Sequence, residues 1–182
     1  MTTAQARFPR STPPAQPTDA DKQLLQFAQG VELAARDLYK KAADSGKYAD
    51  DELAMLTLFG EHHNSYAQAM NGLIGKAATN TRNDSLYSTH VGQLASPQSA
   101  YASLQSLENT LAATNTDILG QLAGIDAARI LASIITIEAR MAAVFGTLPS
   151  LSVTSAMNAS ANSLAPKIAQ VKMATTETTV AP

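Results

Sequence analysis

The sequence contains no cysteine and no tryptophan. The lack of cysteine excludes disulfides, thiolate nucleophiles, zinc fingers and cysteine-bound iron–sulfur clusters, so any metal ion would have to be held by Glu, Asp or His. Charge is also scarce, because only 15% of the 182 residues are charged and the formal net charge is −2. The 13 Lys and Arg residues are scattered and form no basic patch for a phosphate backbone, which predicts no nucleic-acid partner.

Long apolar runs are missing as well. The most apolar stretch, Ile130 to Phe145, is interrupted by Glu138 and Arg140 and is shorter than the roughly 20 residues of a membrane-spanning helix. The amino-terminal residues include two arginines but no apolar segment after them, so a secretory signal is not indicated. The sequence therefore predicts a cytoplasmic protein with no transmembrane segment, while an exported location stays open.

Four segments carry apolar residues at helical spacing, and each begins at a residue type that commonly caps a helix. No segment shows the alternation of a strand, which predicts an all-α fold. The predicted helices run from Thr18 to about Ala43, from Asp50 or Asp51 to about Gly75, from Ser96 to Gly124, and from Asp126 to Gly146.

The connection between the second and third helices, from Lys76 to Ala95, is long enough to cross the length of a bundle. The other two connections are short, so the pattern predicts a four-helix bundle with one crossover. Residues 1–17 are rich in proline and are predicted to form a disordered arm. Residues 18–148 form the bundle, and residues 149–182 form a tail rich in Ala, Ser and Thr that allows a short helix.

A few polar residues fall inside the apolar stripes when each helix is projected at about 100° per residue. Glu32 on the first helix, Glu108 on the third and Glu138 on the fourth face the core, and His63 does so on the second. Glu61, in contrast, falls on the solvent side of the second helix. A buried carboxylate is costly unless it is paired, protonated or bound to a cation. Three of them in one bundle therefore predict a neutralising partner.

Two forms of neutralisation stay open. A divalent metal ion is the more direct, because carboxylate oxygen and imidazole nitrogen suit iron, manganese or zinc. Otherwise Glu32 pairs with Gln29 or Arg36, Glu108 shares a proton or a bond with Asn115, and the inward histidine supplies one positive charge.

The remaining aromatic and imidazole side chains have structural interpretations. Tyr66 faces inward on the second helix, one turn after the buried histidine. Tyr39 and Tyr66 are both predicted to be half-buried, to pack against their neighbours and to bond one polar group each. His62 lies at the border of the apolar stripe and is predicted to be solvated or at an interface, and His90 in the crossover is predicted to lie at the surface.

At these positions the chain resembles the ferritin-like superfamily, and more closely the bacterial ferritin-like domain proteins related to desiccation-associated proteins. Glu32, seven residues before Tyr39, is similar to the first-helix glutamate of that family, and Glu108 is similar to the third-helix glutamate. The segment from Glu138 to Met141 is similar to the fourth-helix Glu-x-x-His. The likeness spans about residues 18–148. It implies a di-iron site with one Glu from each of two helices and Glu-x-x-His from each of the other two.

The chain departs from this pattern on two helices. Met141 stands where the fourth-helix histidine belongs, and His63 and Tyr66 stand where the second helix would supply Glu and His. A shifted register would use Glu61 but turn it to solvent. The resemblance therefore implies a degenerate di-iron site that holds one iron or manganese ion, or none. Its candidate ligands are Glu32, His63, Glu108 and Glu138.

Two functions follow from these features, and the sequence does not decide whether the protein is an enzyme. The first is a structural or protein-interaction module with an eroded metal site, which contacts itself or another protein through a weakly charged helical surface. The alternative is an iron- or manganese-binding protein with oxidase-type or iron-handling activity at the four candidate ligands. Metal analysis of the purified protein distinguishes the two.

Overall fold

A computed structural model describes residues 12–48, 50–148 and 161–167, and within these ranges the chain is helical with no strand. Four long helices form the predicted bundle, and one short helix lies in the crossover. Single 3₁₀ turns follow the second and third helices. The five α-helices are α1 (Asp19–Ala43), α2 (Asp50–Ile74), α3 (Asp84–Val91), α4 (Pro97–Leu119) and α5 (Ile125–Gly146).

The long helices pack as two hairpins, because α1 lies mainly against α2 and α4 lies mainly against α5. The start of α1 meets the α4–α5 connection, where the Asp21 carboxylate accepts hydrogen bonds from the N–H groups of Ala123 and Gly124 at 2.9 and 3.0 Å. Helix α1 therefore runs antiparallel to α4 and parallel to α5. This arrangement confirms the bundle with a long crossover.

Two helix starts follow the predicted capping chemistry. At α1 the Asp21 N–H donates to Thr18 Oγ1 at 3.1 Å, and the Thr18 N–H donates to Asp21 Oδ2 at 2.8 Å. At α4 the Ser99 N–H donates to Ser96 Oγ at 3.3 Å, and Pro97 occupies the first helical position. These caps satisfy backbone donors that have no partner within their own helix.

The predicted ends of the second hairpin are wrong. Helix α4 ends at Leu119 and not at Gly124, and α5 is capped by Gly124 and not by Asp126. The position of Gly124 is fixed by a residue on α1, because the Gly124 N–H donates a hydrogen bond to the carboxylate of Asp21. A Cβ at this position would lie 3.0 Å from backbone atoms of residues 16 and 17. Contacts with the distant start of α1 thus override the local capping signal.

The described parts of the two termini lie against the bundle. Pro14 O and Ala15 O accept hydrogen bonds from the first N–H groups of α5, at 3.0 and 3.1 Å. In the tail, the Leu164 N–H donates to Thr114 Oγ1 at 3.0 Å. Residues 1–11, 149–160 and 168–182 of the predicted arm and tail lie outside the described residues. Among the described helices, none has the length and hydropathy needed to cross a bilayer.

The core consists of two apolar layers stacked along the bundle axis. The first layer lies around the end of α1 and the start of α4, and the second lies around the start of α1 and the end of α4. The first layer includes Val31, Leu38, Leu56, Phe59, Leu104, Leu107, Leu111, Met141 and Phe145. The second layer includes Leu24, Leu25, Met70, Ile74, Ile118, Leu131 and Ile134.

The Asp21 carboxylate should be a major determinant of how the two hairpins join. Replacement of Asp21 by Ala leaves three buried or half-buried N–H groups without an acceptor, which should lower the free energy of unfolding by about 2–3 kcal/mol. Urea denaturation followed by circular dichroism measures this change. The control is Asp19→Ala, because Asp19 is exposed and pairs only with Lys22. Equal effects of the two substitutions would contradict the assignment.

Candidate metal centre

A polar layer lies between the two apolar layers, and every long helix contributes to it. We define it as Glu32, His63, Glu108, Asn115 and Glu138, each of which is 0% exposed. Each helix delivers its residue because the polar position falls on the same face as the flanking apolar residues. The structure therefore brings together the four side chains that the sequence singled out, and it adds an amide.

His63 lies at the centre of the polar layer. Its Nδ1 faces Glu32 Oε2 at 2.8 Å, and its Nε2 faces Glu108 Oε1 at 3.0 Å. Burial by itself lowers the pKa of His63, but the carboxylates of Glu108 and Glu32 outweigh burial and raise the pKa to about 10. The favoured metal-free state is thus an imidazolium that donates one hydrogen bond to each carboxylate.

Asn115 links the two remaining carboxylates. Its Nδ2 donates to Glu32 Oε1 at 3.0 Å and to Glu138 Oε1 at 2.8 Å. The predicted bond between Asn115 and Glu108 is therefore wrong. These two residues lie on one face of α4 but two helical turns apart, so the amide reaches carboxylates on other helices.

The predicted rim partners of Glu32 are also elsewhere. Gln29 donates to Asn80 Oδ1 at 3.0 Å, and Arg36 forms an ion pair with Asp37 at 2.8 Å. Glu32 points into the bundle instead, where it has only partners within the polar layer.

The surroundings of Glu138 determine its charge state. Burial raises its pKa well above the usual range, and the charges of Glu32 and Glu108 raise it further, while the Asn115 hydrogen bond opposes them. These effects favour the protonated form of Glu138. The metal-free layer then holds a carboxylic acid at Glu138 and an imidazolium at His63.

Tyr39 restrains the layer from the side of the first apolar layer. Its hydroxyl donates to Glu108 Oε1 at 2.5 Å, and its ring stacks on His63 with 5.3 Å between ring centroids. The prediction of a packed tyrosine with one polar neighbour is confirmed. Glu108 Oε1 therefore faces two partners, the tyrosine hydroxyl and the imidazole.

Three buried side-chain oxygens have no hydrogen-bond partner among the described residues. They are Glu108 Oε2, Glu138 Oε2 and Asn115 Oδ1. Unpartnered buried oxygens are unusual in native proteins and indicate a missing proton donor or cation. Among the described residues, Glu32, His63 and Glu138 each offer a ligand atom within 4.8 Å of the others. This group could hold a metal ion. Glu108 is not part of it, because Glu108 contacts the other ring nitrogen of His63, Nε2.

The next residues to consider are those at or beside the positions where the resemblance would place further metal ligands. Met141 is buried in the first apolar layer. Tyr66 is half-buried, and its ring meets His63 edge-on with 5.8 Å between centroids. Glu61 is exposed, as the helical phase predicts. His62 is partly buried, in line with its border position, and its Nδ1 has no partner among the described residues.

His90 is placed differently from its prediction. The surface assignment is wrong, because His90 is 7% exposed and its Nδ1 faces Ser103 Oγ at 2.8 Å. Helix α3 packs on α1 and α4, which the sequence did not indicate. The spacing of Leu86 and His90, one helical turn apart, was the available signal, since both side chains are buried.

One comparison with known proteins gives a family. The family model described as a ferritin-like domain matches residues 20–150. No curated protein and no solved structure matches the chain significantly. The matched region covers the four long helices, apart from the first residue of α1, and the whole polar layer. The chain therefore belongs to the ferritin-like domain family.

Proposed function

We propose that the protein binds one divalent metal ion in its polar layer, at a site eroded from the two-metal centre that the family resemblance implies. The observation that carries this proposal is the convergence of three buried carboxyl groups and one imidazole. Two of these carboxyl groups, Glu108 and Glu138, each have an oxygen without a hydrogen-bond partner among the described residues. A cation placed among Glu32, His63 and Glu138 would neutralise the excess negative charge. Iron and manganese suit this set of oxygen and nitrogen donors.

The donor set fits one ion better than two. The di-iron pattern of ferritin-like proteins uses four glutamates and two histidines. The polar layer offers three glutamates and one histidine, since Met141 belongs to an apolar layer and Glu61 is exposed. Two ions would therefore share too few charged ligands to be neutralised.

The surrounding side chains have separate roles in this proposal. Glu32, Glu138 and His63 Nδ1 would hold the ion, which when bound supplies Lewis-acid or redox chemistry. Glu108 accepts the hydrogen bond of Nε2–H and so orients the imidazole, as carboxylates commonly do for metal-bound histidines. Tyr39 donates to Glu108 and holds that carboxylate in place.

A second candidate function is a metal-free structural or interaction module. The observation that favours it is the imidazolium of His63 between two carboxylates, which compensates much of the buried charge without a metal. Such a protein would act through its surface, where α2 exposes Leu53 and Leu58, against itself or another protein. The metal content of the purified protein decides between these functions.

Kinship and location complete the proposal. The likeness to desiccation-related bacterial proteins rests on the segments around Glu32, Glu108 and Glu138. A bundle over residues 18–148 agrees with the family match to residues 20–150. The proposal adds a cytoplasmic location, with an arm before the bundle and a tail after it. The proposal includes no nucleic-acid partner.

Protein from iron- or manganese-supplemented cultures should contain about one equivalent of metal by elemental analysis. Glu138→Gln removes a ligand charge but keeps the shape of the side chain, and it should weaken metal affinity by more than about 100-fold. Glu108→Gln removes only a hydrogen bond that orients the imidazole, so it should weaken metal affinity by about 10–100-fold. The matched control is Glu61→Gln, which changes an exposed glutamate on α2. The proposal would be ruled out if the native protein contained no stoichiometric metal after growth in either culture.

Metal binding should release protons. Glu138 favours its protonated form and the pKa of His63 is raised to about 10, so a metal ion must displace protons that both groups hold in the metal-free protein. The affinity for Mn²⁺ should therefore increase from pH 6 to pH 8, by about tenfold per pH unit for each proton displaced. Titration calorimetry in buffers of different ionisation enthalpy measures both quantities. An affinity that does not change with pH would contradict these charge states.

A further inference from the structure

The polar layer has no path to solvent along the bundle axis. The apolar layers above and below it contain fully buried side chains such as Phe145 and Leu131. A divalent ion that moves through such a layer would have to lose its hydration without polar compensation, which is costly. An ion that enters must therefore pass between two helices.

Contacts cross three of the four lateral faces. Between α1 and α2, a Cβ added at Gly60 would lie 3.2 Å from Tyr39 Cβ, so the two helices are in close contact. Between α4 and α5, the side chain of Gln105 donates to Ala142 O at 3.3 Å. The face between α1 and α4 is covered by α3 and by the tail segment 161–167.

The fourth face is the seam between α2 and α5, and these helices have few contacts with each other. Since Gly60 faces α1, the helical phase turns Tyr66 and Leu73 to the opposite side of the α2 stripe, toward α5. Since Ala142 faces α4, the same reasoning turns Ile130 and Ile137 toward α2. No other described helix packs over this seam.

The side chains at the seam are less buried than those of the layers. Leu73, Ile130 and Ile137 are all partly exposed, and they are apolar. Two polar side chains interrupt them, Tyr66 and His62, with 6.2 Å between their ring centroids. The seam is thus a partly exposed wall of the polar layer that contains two polar side chains.

Tyr66 spans this wall. On its inner side its ring meets His63 edge-on, and it is half-buried. The ring contact with His63 places Tyr66 directly beside the polar layer. On its outer side lies His62, whose buried Nδ1 has no partner among the described residues.

We propose that the metal ion reaches the polar layer through the α2–α5 seam, that the Tyr66 side chain is the barrier on this path, and that His62 is a transient ligand at its outer end. This inference rests on the proposed metal binding and adds the path by which the ion enters. Tyr66 is here a gating residue and not a ligand, so its replacement changes the rate of binding more than the affinity.

The test measures how fast the metal-free protein binds Co²⁺ added alone, by stopped-flow visible absorbance. Tyr66→Ala should increase the association rate about tenfold, equivalent to about 1.4 kcal/mol of barrier, with a dissociation constant near the native value. Tyr66→Phe keeps the ring and should bind at nearly the native rate. His62→Ala should bind more slowly, because the path loses its outer polar group.

The matched control is Tyr87→Ala, which truncates a partly buried tyrosine on α3, where Arg82 lies 3.8 Å from its ring centroid. This variant should bind Co²⁺ at the native rate. A native rate for Tyr66→Ala, or an equal increase for Tyr87→Ala, would overturn the proposed path while metal binding itself stands. If Tyr66→Ala does not fold, a native rate for His62→Ala overturns the path. A native protein that binds no Co²⁺ would overturn both the path and the proposed function.

Discussion

Everything in this bundle depends on the compensation of three buried carboxyl groups that share one layer. Glu32, Glu108 and Glu138 come from three helices and are fully buried. Isolated carboxylates in such surroundings would destabilise the fold by several kcal/mol each, so charge compensation is a condition for folding and not a refinement. Positive charge, protons and amide donors must therefore be buried in this layer together with the carboxyl groups when the chain folds.

The structure supplies these partners from helices that are distant in sequence. His63 on α2 joins a carboxylate on α1 to one on α4, and Asn115 on α4 joins carboxylates on α1 and α5. Each link crosses between helices, so the polar layer also specifies how the two hairpins align. The apolar layers on either side provide most of the burial that stabilises the fold. They also exclude solvent, which strengthens the electrostatic interactions within the polar layer.

The same network is suited to exchange protons for a cation. In the metal-free form the positive charge of the imidazolium and the proton on Glu138 compensate the negative charge that a metal ion would otherwise neutralise. Membership of the ferritin-like domain family agrees with a site built on the midsections of four helices. Met141 on α5, at the position where the resemblance would place a further histidine, lies in the first apolar layer.

Helical periodicity by itself determined which faces of the four long segments are apolar and which polar residues interrupt them, because the phase of a helix is a local property. For that reason the fold and the inward positions of Glu32 and His63 were predictable. Only the tertiary structure decided the pairing of Asn115, the burial of His90 and the helix boundary at Gly124. Each of these depends on atoms from segments far apart in the chain, and a local pattern carries no information about which distant donor or acceptor will be nearest.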